Sequence, residues 1–241
     1  MQKGIVAVVA ILIVAAVAWF LLRPKPVPPP PPAPPEQPAP QKPADAPLPL
    51  AGESDAQVRK ALAGVTLRPE LQKWLAGNGD LLDRWAVIAD NLAEDVSPRK
   101  QLAFLAPAKK FTVIERRGTI QLDLSSYQRY DLFAEVVASV DAKAFAAAVR
   151  ELHPLLEAAY HKLGYPDRKL DEVAQKALRR LADAPVADGP VALVSSGALY
   201  KFKDPKLEAQ GPVEKHLLRM GPRNTKLIQG KAREIMSALR P

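Results

Sequence analysis

The chain has 241 residues, a net charge of +8 and a hydrophobic share of 48%, which suits one domain with accessories better than two full domains. It contains no cysteine, and this excludes disulfides, cysteine-ligated zinc, iron–sulfur clusters and thiol catalysis. The basic excess is local, because residues 201–241 hold ten Lys/Arg against four Asp/Glu while residues 51–200 hold twenty of each.

Residues 1–3 read as a short N-terminal tail. From Gly4 to Leu22 no side chain is polar or charged. These nineteen residues, at about 1.5 Å each, span roughly 28 Å, close to the hydrocarbon thickness of a bilayer. Lys3 and Arg23 bracket the run, and Trp19 and Phe20 lie near one end, where aromatic rings favour the interface. A transmembrane anchor over residues 4–22 is expected. The rival is a cleaved signal peptide with Ala16-Val17-Ala18 as its site, but Trp19-Phe20-Leu21-Leu22 continue the apolar run beyond it. The flanking charges are nearly balanced, so orientation rests on the ease of leaving a three-residue tail inside. That places the C-terminal domain outside the cytoplasm; a cytoplasm-facing domain is the alternative.

Residues 23–50 form a proline-rich linker, with fourteen of the 25 prolines between Pro24 and Pro49. Such runs favour extended polyproline II, so the segment is either a semi-rigid spacer or a length-tolerant disordered linker.

A mostly helical soluble domain is expected over 51–241. Ser54 to Gln57 reads as a capping box opening a helix to about Ala63, and Pro69 starts a second short helix. Asn78-Gly79-Asp80 reads as a turn and cap. Leu81, Leu82, Trp85, Ile88, Ala89 and Leu92 then share one face of an amphipathic helix. Phe111–Glu115 and Thr119–Asp123 alternate around Arg116-Arg117-Gly118 as a β-hairpin. Ser125 to Gln128 reads as a second capping box, with a helix to about Val140. Asp141 caps the next helix, which keeps its phase across Pro154 and therefore continues as one kinked element. A helix over about 170–183 follows, then short strands at Val191–Val194 and Leu199–Phe202. Pro205, Pro212 and Pro222 each open a short helix. The fold class expected is mainly α (α+β), with one or two short β-hairpins.

Several runs carry a resemblance when taken together. They are Arg84-Trp85 with Asp90-Asn91-Leu92-Ala93, Pro98-Arg99-Lys100 with Phe104-Leu105-Ala106-Pro107, and Ser126-Tyr127-Gln128-Arg129-Tyr130-Asp131. Further along come Leu163-Gly164-Tyr165-Pro166-Asp167-Arg168, Leu199-Tyr200 with Asp204-Pro205, and Leu217-Leu218-Arg219-Met220-Gly221-Pro222. In order and spacing the region 51–241 resembles a bacterial family called domain of unknown function 3014. The resemblance implies a bacterial, membrane-anchored protein and brings no activity or site with it.

Known catalytic patterns are lacking. Gly77-Asn78-Gly79 lacks the Lys/Ser of a phosphate loop, no Gly-x-Ser-x-Gly elbow occurs, and no carboxylate pair stands out by spacing. His153, Glu157 and His161 line one helix edge, yet neighbours four apart supply too few ligands for a firm zinc site, and a solvated row is the plainer reading. No metal and no cofactor are expected. Tyr127, Tyr130, Tyr160, Tyr165 and Tyr200 read as half-buried packing groups, or else as a cleft lining. Asp90-Asn91 and Tyr165-Pro166-Asp167-Arg168 are the polar runs of most interest.

On the last helix Lys226, Arg233 and Arg240 are seven apart, opposite Leu227, Ile228, Ala232, Ile235 and Leu239, with Arg223 one turn before. These four cations are the candidate contact with an anionic surface, against the plainer reading of a solvated face. The function expected is a non-enzymatic envelope module in a bacterial inner membrane, single-pass, reaching into the periplasm to bind a protein or an anionic polymer. The alternatives are an enzyme acting on envelope material and a cytoplasm-facing adaptor. Nucleic acid has no motif behind it and is not expected as a partner.

Overall fold

The computed structural model describes residues 51–197 and 199–240. The expected tail, anchor and linker lie outside the described residues, and no described helix is long and apolar enough to cross a membrane.

The chain enters through α1 (Ala51–Leu62), with Glu53 in its first turn and Arg59 and Lys60 in its last, the order that complements a helix dipole. This corrects the first capping box: the helix is already under way at Ser54. The residue that matters is Asp55, buried at 7%. Two short helices follow, α2 (Pro69–Gly77) and α3 (Leu81–Ala93). Asp80 precedes α3 in a left-handed conformation (φ 55°), and its side chain caps nothing. Asp55 supplies the cap from a distance, accepting from Leu81 N at 2.9 Å and Asp80 N at 3.0 Å. Arg59 does the converse for α2, donating to the carbonyls of Leu75 and Asn78.

After a 3₁₀ turn at Ala103–Leu105 come β1 (Val113–Arg116) and β2 (Thr119–Leu122). Arg117 and Gly118 both have positive φ, as a two-residue hairpin turn demands. Expected as a single helix from Ser125, the next stretch is two: α4 (Leu124–Gln128) and α5 (Asp131–Ala138). Asp123 is the cap, accepting from Ser125 N. Fully buried Ser126 is tied to both backbone groups of Thr112. The chain then turns so that Tyr130 enters the core, 7% exposed.

The helix expected to continue through Pro154 does so. It is α6 (Ala142–His161), capped by Asp141 through Ala144 N, with Pro154 exposed. The next helix is α7 (Leu170–Asp183). Strands β3 (Ala192–Ser196) and β4 (Leu199–Phe202) pair with each other, and β3 also pairs with β2. The two hairpins are thus one antiparallel sheet, ordered β1-β2-β3-β4. Four-residue α8 (Pro205–Glu208) leads to the helical run α9 (Pro212–Leu239). The run breaks at Gly221 (φ 83°, ψ 166°), so the helix expected to restart at Pro222 does restart there.

Three apolar clusters hold these elements. One gathers α1, α2, α3, α6 and α7 around Leu81, Leu152, Tyr160 and Leu170. A second joins α5 to α9 through Tyr130, Leu217 and Ile228. The third seats the sheet on α9 through Leu193, Phe202 and Leu218.

Candidate functional site

The four cations singled out by spacing are all exposed, but three of them are engaged. Arg223 lies 3.4 Å from both Asp131 and Glu135 on α5, and Lys226 pairs with Asp188 at 3.0 Å. Arg233 donates to the carbonyl of Ala182 at the end of α7. The acidic and carbonyl partners come from distant parts of the chain, so periodicity along one helix could not reveal them.

The histidine row is divided among structural partners. Nε2 of His153 faces Asp171 at 3.1 Å, and Nε2 of His161 faces Glu157 at 3.3 Å. Glu157 also accepts from Leu170 N, capping α7. Among the described residues no cluster of His, Asp and Glu could hold a metal ion.

The two polar runs of most interest meet. Tyr160 is fully buried and donates to Asp90 at 3.1 Å. Its ring stacks on Tyr165, and Arg168 lies over Tyr165 at 4.6 Å. Arg168 and Lys176 both pair with Glu94, whose carboxyl is held below its ordinary range, chiefly by the Lys176 hydrogen bond. Burial pushes the Tyr160 phenol up. The network ties α3, α6 and α7 together and leaves no free acid–base pair. A second lock lies beside it: Arg180 pairs with Glu214 at 2.7 Å and Asp95 at 3.3 Å, and Asp95 caps α9 through Val213 N.

Two features were not foreseen from the sequence. The first is a cavity of about 190 Å³ between α1, α2, α3 and α6. Trp74, Trp85, Phe145 and Leu152 line it, and Leu102 and Phe104 close one side from the loop before β1. The Phe104 ring stacks on Trp74 with centroids 5.2 Å apart. Among the described residues, every one that lines it is apolar. These residues looked like ordinary core positions, and incomplete filling has no signature in a periodicity.

The second feature surrounds His216 on α9. Its Nδ1 lies 3.0 Å from Ser97 Oγ and its ring meets Tyr130 edge-on. Burial, with Arg99, Arg219 and Arg129 around it, lowers its pKa from 6.5 to about 4, so near neutral pH the ring is uncharged. Arg129 lies 4.9 Å over the Tyr130 ring and 5.7 Å from that of Phe111; Arg219 lies 5.0 Å over Phe202. All three arginines fall within runs that carry the family resemblance. Their convergence needs the loop after α3, the turn between α4 and α5, and α9.

No curated protein and no solved structure matches the chain. The family described as "Protein of unknown function (DUF3014)" matches residues 81–236, a narrower span than the whole folded region. With most of its length covered in this way, the chain belongs to the DUF3014 family.

Proposed function

We propose that this protein is a non-enzymatic binding module of the bacterial envelope, anchored in the inner membrane by residues 4–22. In this reading residues 23–50 carry the domain into the periplasm, where it holds a hydrocarbon group of its ligand in the cavity between α1, α2, α3 and α6. The observation behind the proposal is the lining of that cavity. Catalytic pockets bring acids, bases or nucleophiles together around the reacting atoms, whereas the described residues around this one are aliphatic and aromatic throughout. Apolar cavities stay dry, and one of about 150 Å³ takes up benzene; at about 190 Å³ this one has room for a chain end or a small ring. Trp74 and Phe104 provide large apolar contact area at the side closed by the loop.

The test is photolabelling of the full-length protein in lipid nanodiscs with an aliphatic alcohol bearing a diazirine. Labels should map to peptides containing Trp74, Phe104 or Leu152. Ala148→Trp, which fills the space, should remove them. Labelling confined to residues 4–22 would sink the cavity reading. A reporter fused after Pro241 tests the topology separately, since activity only in the cytoplasm overturns the periplasmic placement.

A further inference from the structure

We propose that Arg99, Arg129 and Arg219 form a binding site for a phosphate group, either a free phosphomonoester or a lipid headgroup. Donor inventory is the first ground. A guanidinium carries five N–H donors. Arg129 spends two contacts on the protein, one to the Tyr130 hydroxyl at 3.0 Å and a long one to the Lys109 carbonyl at 3.4 Å. Its Nε is buried with no partner. Among the described residues Arg219 donates one hydrogen bond, to the Tyr200 carbonyl at 3.4 Å. Arg99 is exposed and makes no hydrogen bond or ion pair among the described residues.

The charge arrangement is the second ground. Four described arginines pair with carboxylates: Arg68 with Glu135, Arg168 with Glu94, Arg180 with Asp95 and Glu214, and Arg223 with Asp131 and Glu135, while others, such as Arg59 and Arg150, donate to backbone carbonyls. None of Arg99, Arg129 and Arg219 is within ion-pair distance of a carboxylate among the described residues. Glu208, which feels the field of Arg219, is already held by Lys215 and by Phe202 N. Ser97 Oγ at 3.0 Å from His216 and the Tyr130 ring against its imidazole bring the loop of Arg99 and the turn of Arg129 to the helix that carries Arg219, and a doubly charged anion there would offset the like charges. Lys100, Lys109 and Lys110 lie on the same loop as Arg99 and are also without ion pairs among the described residues.

Preorganisation is the third ground. The Tyr130, Phe111 and Phe202 rings support two of the guanidiniums, so less side-chain freedom is lost when a ligand arrives. Planar forks are the side chains best matched to phosphate oxygens.

The experiment uses the full-length protein in neutral phosphatidylcholine nanodiscs. One arm titrates glycerol phosphate and inorganic phosphate by calorimetry; the other measures flotation with vesicles containing phosphatidic acid. Saturable binding in the first arm supports a free phosphate ligand, and binding in the second alone supports a headgroup. Arg129→Gln with Arg219→Gln should lower affinity by a hundredfold or more. Arg99→Gln, at an exposed residue with no hydrogen bond or ion pair among the described residues, should lower it about tenfold with unchanged melting, so the test survives if the double variant fails to fold. Arg223→Gln should leave binding unchanged. No saturable binding in either arm, or equal binding by Arg99→Gln and the parent, overturns the site.

Discussion

Two sets of cations share α9 and its neighbours, and they differ in what surrounds them. Arg223, Lys226 and Arg233 face two carboxylates on α5, Asp188 and the carbonyl end of α7. Arg129 and Arg219 lie over aromatic rings, Arg99 is exposed, and all three act on one uncharged imidazole. Spacing along the helix drew attention to the first set, yet its field is largely cancelled by the fold. Local potential depends on partners drawn from other elements more than on the count of basic residues.

The sharpest way to break this contrast is at Gly221, the bend separating Arg219 from Arg223. Its backbone region is essentially reserved for glycine, and a methyl group there would strike the Tyr127 ring. Gly221→Ala should cost about 3 kcal/mol or more, measured by denaturant unfolding, from strain and overpacking together.

Acid should act on the second set through His216, and on the first through the carboxylates that hold it, such as Glu135. Below pH 6.5 the unfolded chain takes up a proton that folded His216 refuses until about pH 4. Stability from this group is therefore complete above 6.5 and is lost as pH falls through that window, by up to roughly 3 kcal/mol. His216→Gln should narrow the difference between stability curves recorded at pH 7 and pH 4, the remainder belonging to carboxylates held below their ordinary range, such as Glu94, Glu135 and Glu208.

Freeing the first set should make it resemble the second. Asp131→Asn with Glu135→Gln strips Arg223 of its carboxylates and weakens the support of Asn224. The expected cost is about 1 kcal/mol, together with new, salt-sensitive adsorption to anionic vesicles. The smallest effects belong to Lys226→Gln and Arg240→Gln. Each should stay within about 0.5 kcal/mol in thermal unfolding, and neither should alter phosphate binding.

Much of the helical frame was legible because its signals are local. The apolar face of α3, the Asp141 cap and the prolines opening α8 and α9 each act within a turn of the residue that carries them. The division between α4 and α5 was not, since Asp123, Ser126 and Tyr130 settle it through a neighbouring strand and the core. Joining both hairpins into one sheet likewise depends on β2 meeting β3 across some seventy residues of helix. The site features were the least legible. Arg99, Arg129 and Arg219 come together only through three separate elements, and the cavity is defined by what its lining leaves unfilled.

The Asp55 cap bears on where this domain can be divided. The family match begins at Leu81, whose N–H is one of the two that Asp55 receives. A fragment cut at the edge of the match would leave the first turn of α3 without its acceptor. It would also strip Val58 and Leu75 from the main apolar cluster, opening Leu81 and Leu82 to water. The stretch by which the family is recognised is therefore shorter than the stretch that must be synthesised before it can fold. A ribosome-released or protease-trimmed chain lacking α1 and α2 should behave as a sticky, aggregation-prone species, although it keeps the whole of the recognisable sequence.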